Sequence, residues 1–472
     1  MDPDLRAWAR PGSASLAAFA AVTMALALAV SSGMLDPWAL ALVSLAGVSA
    51  FAAARVELRG EPGGGRRSVV ALLAAGLAAS VVHGALFLPG ATVDPARLGT
   101  FRPALAVAAV AVASLFWRSA PRWFARARFG ALLAAATVLG AVVIRAAPAP
   151  GIDVWHCQQF GALALLAGKN PYALAYPNIY GPGTPFIDPS LLSPDGRFLL
   201  ANPYPPLLLL LDVPAAALGD VRWTMLAAVA VSALLIRGLG RGSLEAELAG
   251  ALLLLQPQAF LVLELAWTEP VALAGLLAAA LAVAKVRRDA GGGPALARRE
   301  WLLSGAAAAL AASTKQYAAL LLLPLLLALP GRARLRAVSV AAGGALALAV
   351  PFLLWDPRAF VRGVVEFQVR QPFRTDALSW PAAVVAVGGP RLPSWPAFVV
   401  AAAVLVLTLR RTVTPAQAVL SAATTWIAFV AFNKQAFCNY YWLAVGLLCA
   451  AVALLSAEAR TAPSPPPRRS SG

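Results

Sequence analysis

Only four lysines occur in this chain: Lys169, Lys285, Lys315 and Lys434. Two of them stand in Lys-Gln pairs, within Thr314-Lys315-Gln316-Tyr317 and Asn433-Lys434-Gln435-Ala436-Phe437. A segment farther upstream begins Asp153-Val154-Trp155-His156-Cys157-Gln158 and closes on Gly168-Lys169-Asn170-Pro171-Tyr172. A carboxylate at the edge of an apolar run is placed to act as a general base, and Asp153 is the candidate. Lysine and arginine give charge-assisted hydrogen bonds to phosphate, which makes Lys315, Lys434, Arg370 and Arg374 a candidate anion clamp. Tyrosines offer a ring face and a hydroxyl. Tyr172, Tyr204, Tyr317 and Tyr440 join His156, Gln158, Lys169, Asn170, Glu269, Gln316 and Gln435 as candidate substrate contacts. The competing explanation is an aromatic belt with snorkelling lysines, which accounts for Tyr440 and Tyr441 but poorly for the Lys-Gln pairs.

The elements that must hold these residues are set by composition. Of the 472 residues, 60% are hydrophobic and 12% charged, and the mean hydropathy is +0.75. Soluble domains carry about twice that share of charge. A soluble globular enzyme is therefore excluded, and so is a disordered chain. The expectation is an all-α polytopic membrane protein. Apolar runs predict about 14 spans (12–15): 15–35, 37–54, 68–89, 103–118, 129–147, 221–237, 247–264, 266–285, 301–314, 316–330, 335–355, 394–410, 415–432 and 437–456. Segment 205–218 carries three prolines and reads as re-entrant or interfacial.

The formal charge is +17. Its arginines cluster between apolar runs, the pattern of cytoplasmic loops rather than of nucleic-acid binding. Placing the clusters inside puts both termini in the cytoplasm and sends two long segments, 148–204 and 356–393, outward. Asp153, three of the lysines and all seven tyrosines then share the outer side. Residues 155–167 and 360–367 predict interfacial helices in those loops. Gly168 suits a helix C-terminus, and Asn170-Pro171 a turn. The Pro/Ser-rich end, within 457–472, reads as a disordered cytoplasmic tail. Cys157, Cys438 and Cys449 match no metal motif; a Cys157–Cys438 bridge is conceivable, with free thiols favoured. No nucleotide-binding loop occurs.

A span followed by Asp153, an interfacial helix ending Gly168-Lys169-Asn170-Pro171-Tyr172, then Tyr204-Pro205-Pro206-Leu207 and Thr314-Lys315-Gln316-Tyr317, resembles the GT-C superfamily of membrane glycosyltransferases. The nearest likeness is to the polyprenyl-phosphate-mannose-dependent mannosyltransferases of glycosyltransferase family 87. The likeness covers about residues 129–456 and leaves 1–128 as a four-helix extension. One departure is that Asp153 stands without an adjacent acid. The resemblance implies inverting transfer of a sugar, mannose or another hexose or pentose, from polyprenyl phosphate to an extracytoplasmic glycan or lipid-linked acceptor. Asp153 would be the base and the cations would hold the donor phosphate. Neither metal nor cofactor is expected, and the setting would be the cell membrane. The rival class is a transporter or lipid-linked-oligosaccharide flippase, which would place its polar groups mid-membrane.

Overall fold

The computed structural model describes residues 12–56, 64–117, 119–181, 183–197, 202–288, 294–409 and 414–461. Arg6, Arg10, Arg118, Arg410, Arg411, most of the 457–472 tail and parts of the predicted basic loops lie outside the described residues. Among the described residues the chain is helical throughout, with one isolated bridge between Met34 and Ala377. Eight helices among the described residues are long and apolar enough to cross a membrane. These are α1 (Ser13–Ser31), α2 (Pro37–Arg55), α3 (Gly64–Leu86), α5 (Arg122–Ala146), α8 (Arg222–Leu239), α11 (Glu269–Arg288), α14 (Gly331–Trp355) and α20 (Cys438–Thr461). They mark a polytopic membrane protein.

Shorter apolar helices fill the gaps: α4 (Phe101–Ser114), α7 (Pro206–Ala217), α12 (Pro294–Ala312), α13 (Ala318–Leu327), α18 (Trp395–Leu409) and α19 (Pro415–Ala431), with the brief α15 (Pro357–Val361), α16 (Phe367–Arg370) and α17 (Trp380–Ala386) in the second long segment. The run predicted as one span over 247–264 is two helices, α9 (Leu244–Leu255) and α10 (Ala259–Glu264). The break falls at Pro257, which has no N–H to donate and crowds the preceding turn. At the other extreme, α20 continues to Thr461 with Ala457 buried, so 457–461 is helix rather than tail.

Contacts sort the helix termini into two ends. At one, Glu245 and Glu247 in the first turn of α9 each bridge two arginines: Arg66 and Arg460 on the former, Arg128 and Arg237 on the latter. Acids suit a helix N-terminus, and the two pairs of arginines come from four other helices. At the opposite end lie the two long segments. Here α6 (Asp153–Leu166) and α7 pack on one another. The Leu207 amide on α7 donates to the Ser313 carbonyl. Past its far end, Arg222 donates to the carbonyls of Ile144 and Glu264. Both ends of α7 thus meet the same face, so it is not a span.

One large core runs through the bundle, and α1 and α2 pack on α20 and α19 within it. The tightest approach to another backbone is at Gly33, whose φ is +80° and whose absent Cβ would collide with the Cys438 amide nitrogen. Gly33→Ala therefore adds left-handed strain to a backbone clash and should cost at least about 2 kcal/mol. A lowered melting temperature in detergent checks this. Gly151→Ala, with open space around the new methyl, should leave the melt unchanged.

Candidate functional site

Asp153 opens α6, with Ile152 as N-cap. Its Oδ1 accepts from the Val154 amide at 2.9 Å and from the Tyr180 hydroxyl at 3.0 Å. Tyr180 Oη in turn accepts from the Asp153 amide at 3.3 Å. Burial raises the carboxyl above the ordinary aspartate range, and those two hydrogen bonds and His156 partly oppose it. Among the described residues Oδ2 accepts no hydrogen bond, which leaves one lone-pair-bearing oxygen available.

The helix behind Asp153 is pinned by its own polar side chains. Gln158, fully buried, donates to the Ala266 carbonyl at 2.8 Å. Gln159 accepts from the Val221 amide at 2.9 Å. Asn202 donates to the Cys157 carbonyl at 3.3 Å, and Trp155 to Asp220. Gln158 therefore positions α6 rather than a substrate. His156 stacks on Phe160 with its Nδ1 buried and unpartnered, and burial lowers its pKa, favouring the neutral imidazole. Cys157, Cys438 and Cys449 are all free and buried, so no bridge forms.

The next stretch is a strap. Asn170 caps a 3-10 turn through the Tyr172 amide, and the Tyr172 hydroxyl donates to the Tyr204 carbonyl at 2.7 Å. Both are buried supports of residues 202–206. Gln316 holds the strap from below, donating to the carbonyls of Pro203 at 2.8 Å and Val364 at 2.9 Å. The strap lays the Tyr204 ring against Lys315, whose Nζ is 4.7 Å from the ring centroid.

Lys315 is not a free cation. Its Nζ pairs with Glu269 Oε1 at 3.1 Å, and the Tyr317 hydroxyl donates to the same oxygen at 2.8 Å. Glu269 is fully buried, and among the described residues its Oε2 has no partner. Tyr317 packs on Trp426 at 4.3 Å between ring centroids and on Tyr440 at 6.3 Å. The predicted residues Glu269, Lys315, Tyr317, Tyr204 and Tyr440 thus form one aromatic-walled ion pair.

A second cationic group stands beside Asp153. Arg374 forks onto Asp376 at 2.8 and 2.6 Å and lies over Phe186 at 4.2 Å and Phe437 at 4.7 Å. Phe186 meets the Tyr180 ring at 5.4 Å, so the chain Asp153–Tyr180–Phe186–Arg374 is continuous. Burial pushes the Tyr180 hydroxyl up, Asp153 adds to that, and Arg374 pulls against it. Tyr204 joins the two groups: burial raises its hydroxyl, and the charges of Asp153 and Glu269 both contribute. Lys434 makes no ion pair among the described residues; its Nζ donates to the carbonyls of Val369 and Gln371. Burial lowers the Lys434 ammonium, with Asp188 opposing. Gln435 braces the same turn through Gln371 and Pro372.

No family model, no curated protein and no solved structure matches this chain. The site therefore stands on its geometry. Two predicted members lie apart from it: Lys169 is exposed just past the end of α6, and Arg370 is exposed, donating to Ser190. Asp376, Phe186, Phe437 and Trp426 are neighbours that the sequence reading did not select. For Asp376 the i,i+2 spacing from Arg374 was a usable signal; for the aromatics there was none.

Removing one member of a buried ion pair leaves an uncompensated charge, at a cost of roughly 3–5 kcal/mol. Glu269→Gln should lower the melting temperature accordingly. Replacing both partners, Glu269→Leu with Lys315→Met, should recover most of the loss; a double variant no better than the single one would contradict the pairing.

Proposed function

We propose that this chain is an inverting membrane glycosyltransferase that moves a sugar from polyprenyl phosphate to a hydroxyl on a glycan or lipid-linked acceptor. The observation that carries this reading is the gathering of Asp153, whose Oδ2 is vacant, with three cations and an aromatic wall at the loop end of the bundle. In this reading fourteen helical segments cross the cell membrane, both termini are cytoplasmic, and the loop end is extracytoplasmic. The GT-C resemblance adds the family's expectation of a sugar such as mannose.

The step balances as a single displacement. The acceptor oxygen attacks C1 while its proton passes to Asp153 Oδ2. The C1–O bond to phosphate breaks on the opposite face, and the electron pair stays on the phosphate oxygen. Lys315, Arg374 and Lys434 offset the charge that grows there, commonly the largest catalytic contribution. Two of these cations are already matched by carboxylates. The donor phosphate must therefore compete with Glu269 for Lys315 and with Asp376 for Arg374. Such matched pairs hold the cations in position in a poorly hydrated site before the donor arrives. Arg370 and Lys169, both exposed, are suited to the acceptor or the lipid surface. His156, neutral, and Gln435 are suited to sugar hydroxyls.

A transporter or flippase is the second reading. It is favoured by the Lys315–Glu269 pair, since ionisable groups buried between membrane helices often mark a transport path.

Transfer in proteoliposomes supplied with polyprenyl-phosphate sugars tests the proposal. Asp153→Asn should lower turnover at least a hundredfold with the melting temperature retained; equal turnover would remove the base assignment, and movement of the lipid without any transfer would favour the second reading. The base must be ionised, so the rate should fall as pH drops through the raised Asp153 pKa, above the usual aspartate range. Tyr180→Phe removes a hydrogen bond that holds this pKa down, and should move the acid limb upward by about 0.5–1 pH unit. A limb that stays put would disconnect Tyr180 from the base.

A further inference from the structure

A cavity of about 450 Å³ opens at the loop end between α3 and α4, away from the Asp153 cluster. Leu86, Phe87, Leu88, Pro89, Leu98 and Phe101 supply its apolar walls, and Arg102 stands at it. The volume falls within the range of small-ligand sites. Its walls are preformed. The Glu264 carboxylate, fully buried, accepts from the Ala91 amide at 2.7 Å and from the amide and hydroxyl of Thr92. The Asp94 amide donates to the Ala146 carbonyl at 2.8 Å, and Phe101 packs edge-on against Phe260 at 5.3 Å. Glu264 is thus the tie that fixes this loop.

The cations of this loop are treated unequally. Arg97 pairs with Asp94 at 3.3 Å and reaches the Arg145 carbonyl. Arg102 is exposed and makes no ion pair or hydrogen bond among the described residues. Leu86, Phe87 and Leu88 beside it are each more than half exposed, at 68%, 61% and 57%. In a membrane protein that surface faces hydrocarbon, so a lone guanidinium at its edge asks for an anion that carries its own apolar chain. A soluble phosphate would satisfy Arg102 and leave the apolar walls uncovered.

We infer that this cavity binds an anionic lipid, one phosphate oxygen face on Arg102 and the start of one hydrocarbon chain along Leu86 to Leu88 and Phe101. Nothing in this inference depends on glycosyl transfer. The phosphate has two sources, a membrane phospholipid or a polyprenyl phosphate, with the same recognition chemistry.

The test is the melting shift of the purified full-length protein on addition of phosphatidylglycerol, of a short-chain prenyl monophosphate, or of zwitterionic phosphatidylcholine. Binding to the folded state raises the melting temperature. At least one anionic lipid should raise it by several degrees and phosphatidylcholine should not; which anion does so names the source. Arg102→Gln should remove most of that shift. Gly99 lines the cavity, and a Cβ there meets nothing within 4 Å. Gly99→Leu should therefore fill the space, abolish the shift and leave the lipid-free melt unchanged. Equal shifts with phosphatidylcholine, no shift with either anion, or a full shift retained in both variants would overturn the site. So would a shift that survives Arg102→Gln but disappears in Lys315→Ala, because it belongs to the other cluster.

Discussion

The Lys315–Glu269 ion pair is the constraint around which the loop end is organised. Two charges nearly excluded from water are tolerated only if they face one another and their remaining hydrogen-bonding capacity is met. The neighbours supply most of that. Tyr317 donates a second bond to Glu269, and the Tyr204 ring covers the ammonium. Tyr204 can do so only because the 202–206 strap is tied by Tyr172, Gln316 and Gln368. The carbonyl of Ala266, three residues before Glu269, holds Gln158 and hence α6 with Asp153 at its head. The acid and the lysine are thus placed by one connected set of bonds. Glu269 Oε2 is left over, a buried acceptor with no donor. In the proposed mechanism this is the pair that opens to take the donor phosphate.

Electrostatically the two ends of the bundle are built differently. At the arginine end each glutamate is shared by two arginines, so cations outnumber acids and several remain half-exposed. That pattern fixes helices and faces an aqueous or anionic surface. At the loop end two cations are each matched by a single acid, Lys315 by Glu269 and Arg374 by Asp376, inside aromatic walls. Matched pairs in poorly hydrated surroundings exchange partners only for another anion. This is the physical reason for reading one end as topology and the other as chemistry.

Much of the architecture was legible in the chain. Apolar runs located the long helices, and Gly168, at φ +68°, does follow the end of α6. Asn170 does open a turn, whereas 206–217 forms one short helix that accommodates Pro214 in its interior. The pairings were not legible. Glu269 and Lys315 are 46 residues apart, and nothing local to either announces the other. Asp153 gains Tyr180 from 27 residues farther on, past α6 and the turns that follow it. The role of Gln158 as a brace depends on a carbonyl freed by the left-handed Ala266, at φ +51°, which composition does not reveal. Long-range polar partners follow from packing, and packing is what periodicity leaves undetermined.

The most direct measurement is a cryo-EM structure of the full chain with a non-transferable polyprenyl phosphonate sugar bound. The account predicts phosphonate density beside Lys315, with the Nζ drawn away from its 3.1 Å contact to Glu269 Oε1 and Asp153 Oδ2 facing the open side of the sugar's C1. Density for the phosphonate elsewhere, with the Lys315–Glu269 contact intact, would contradict it.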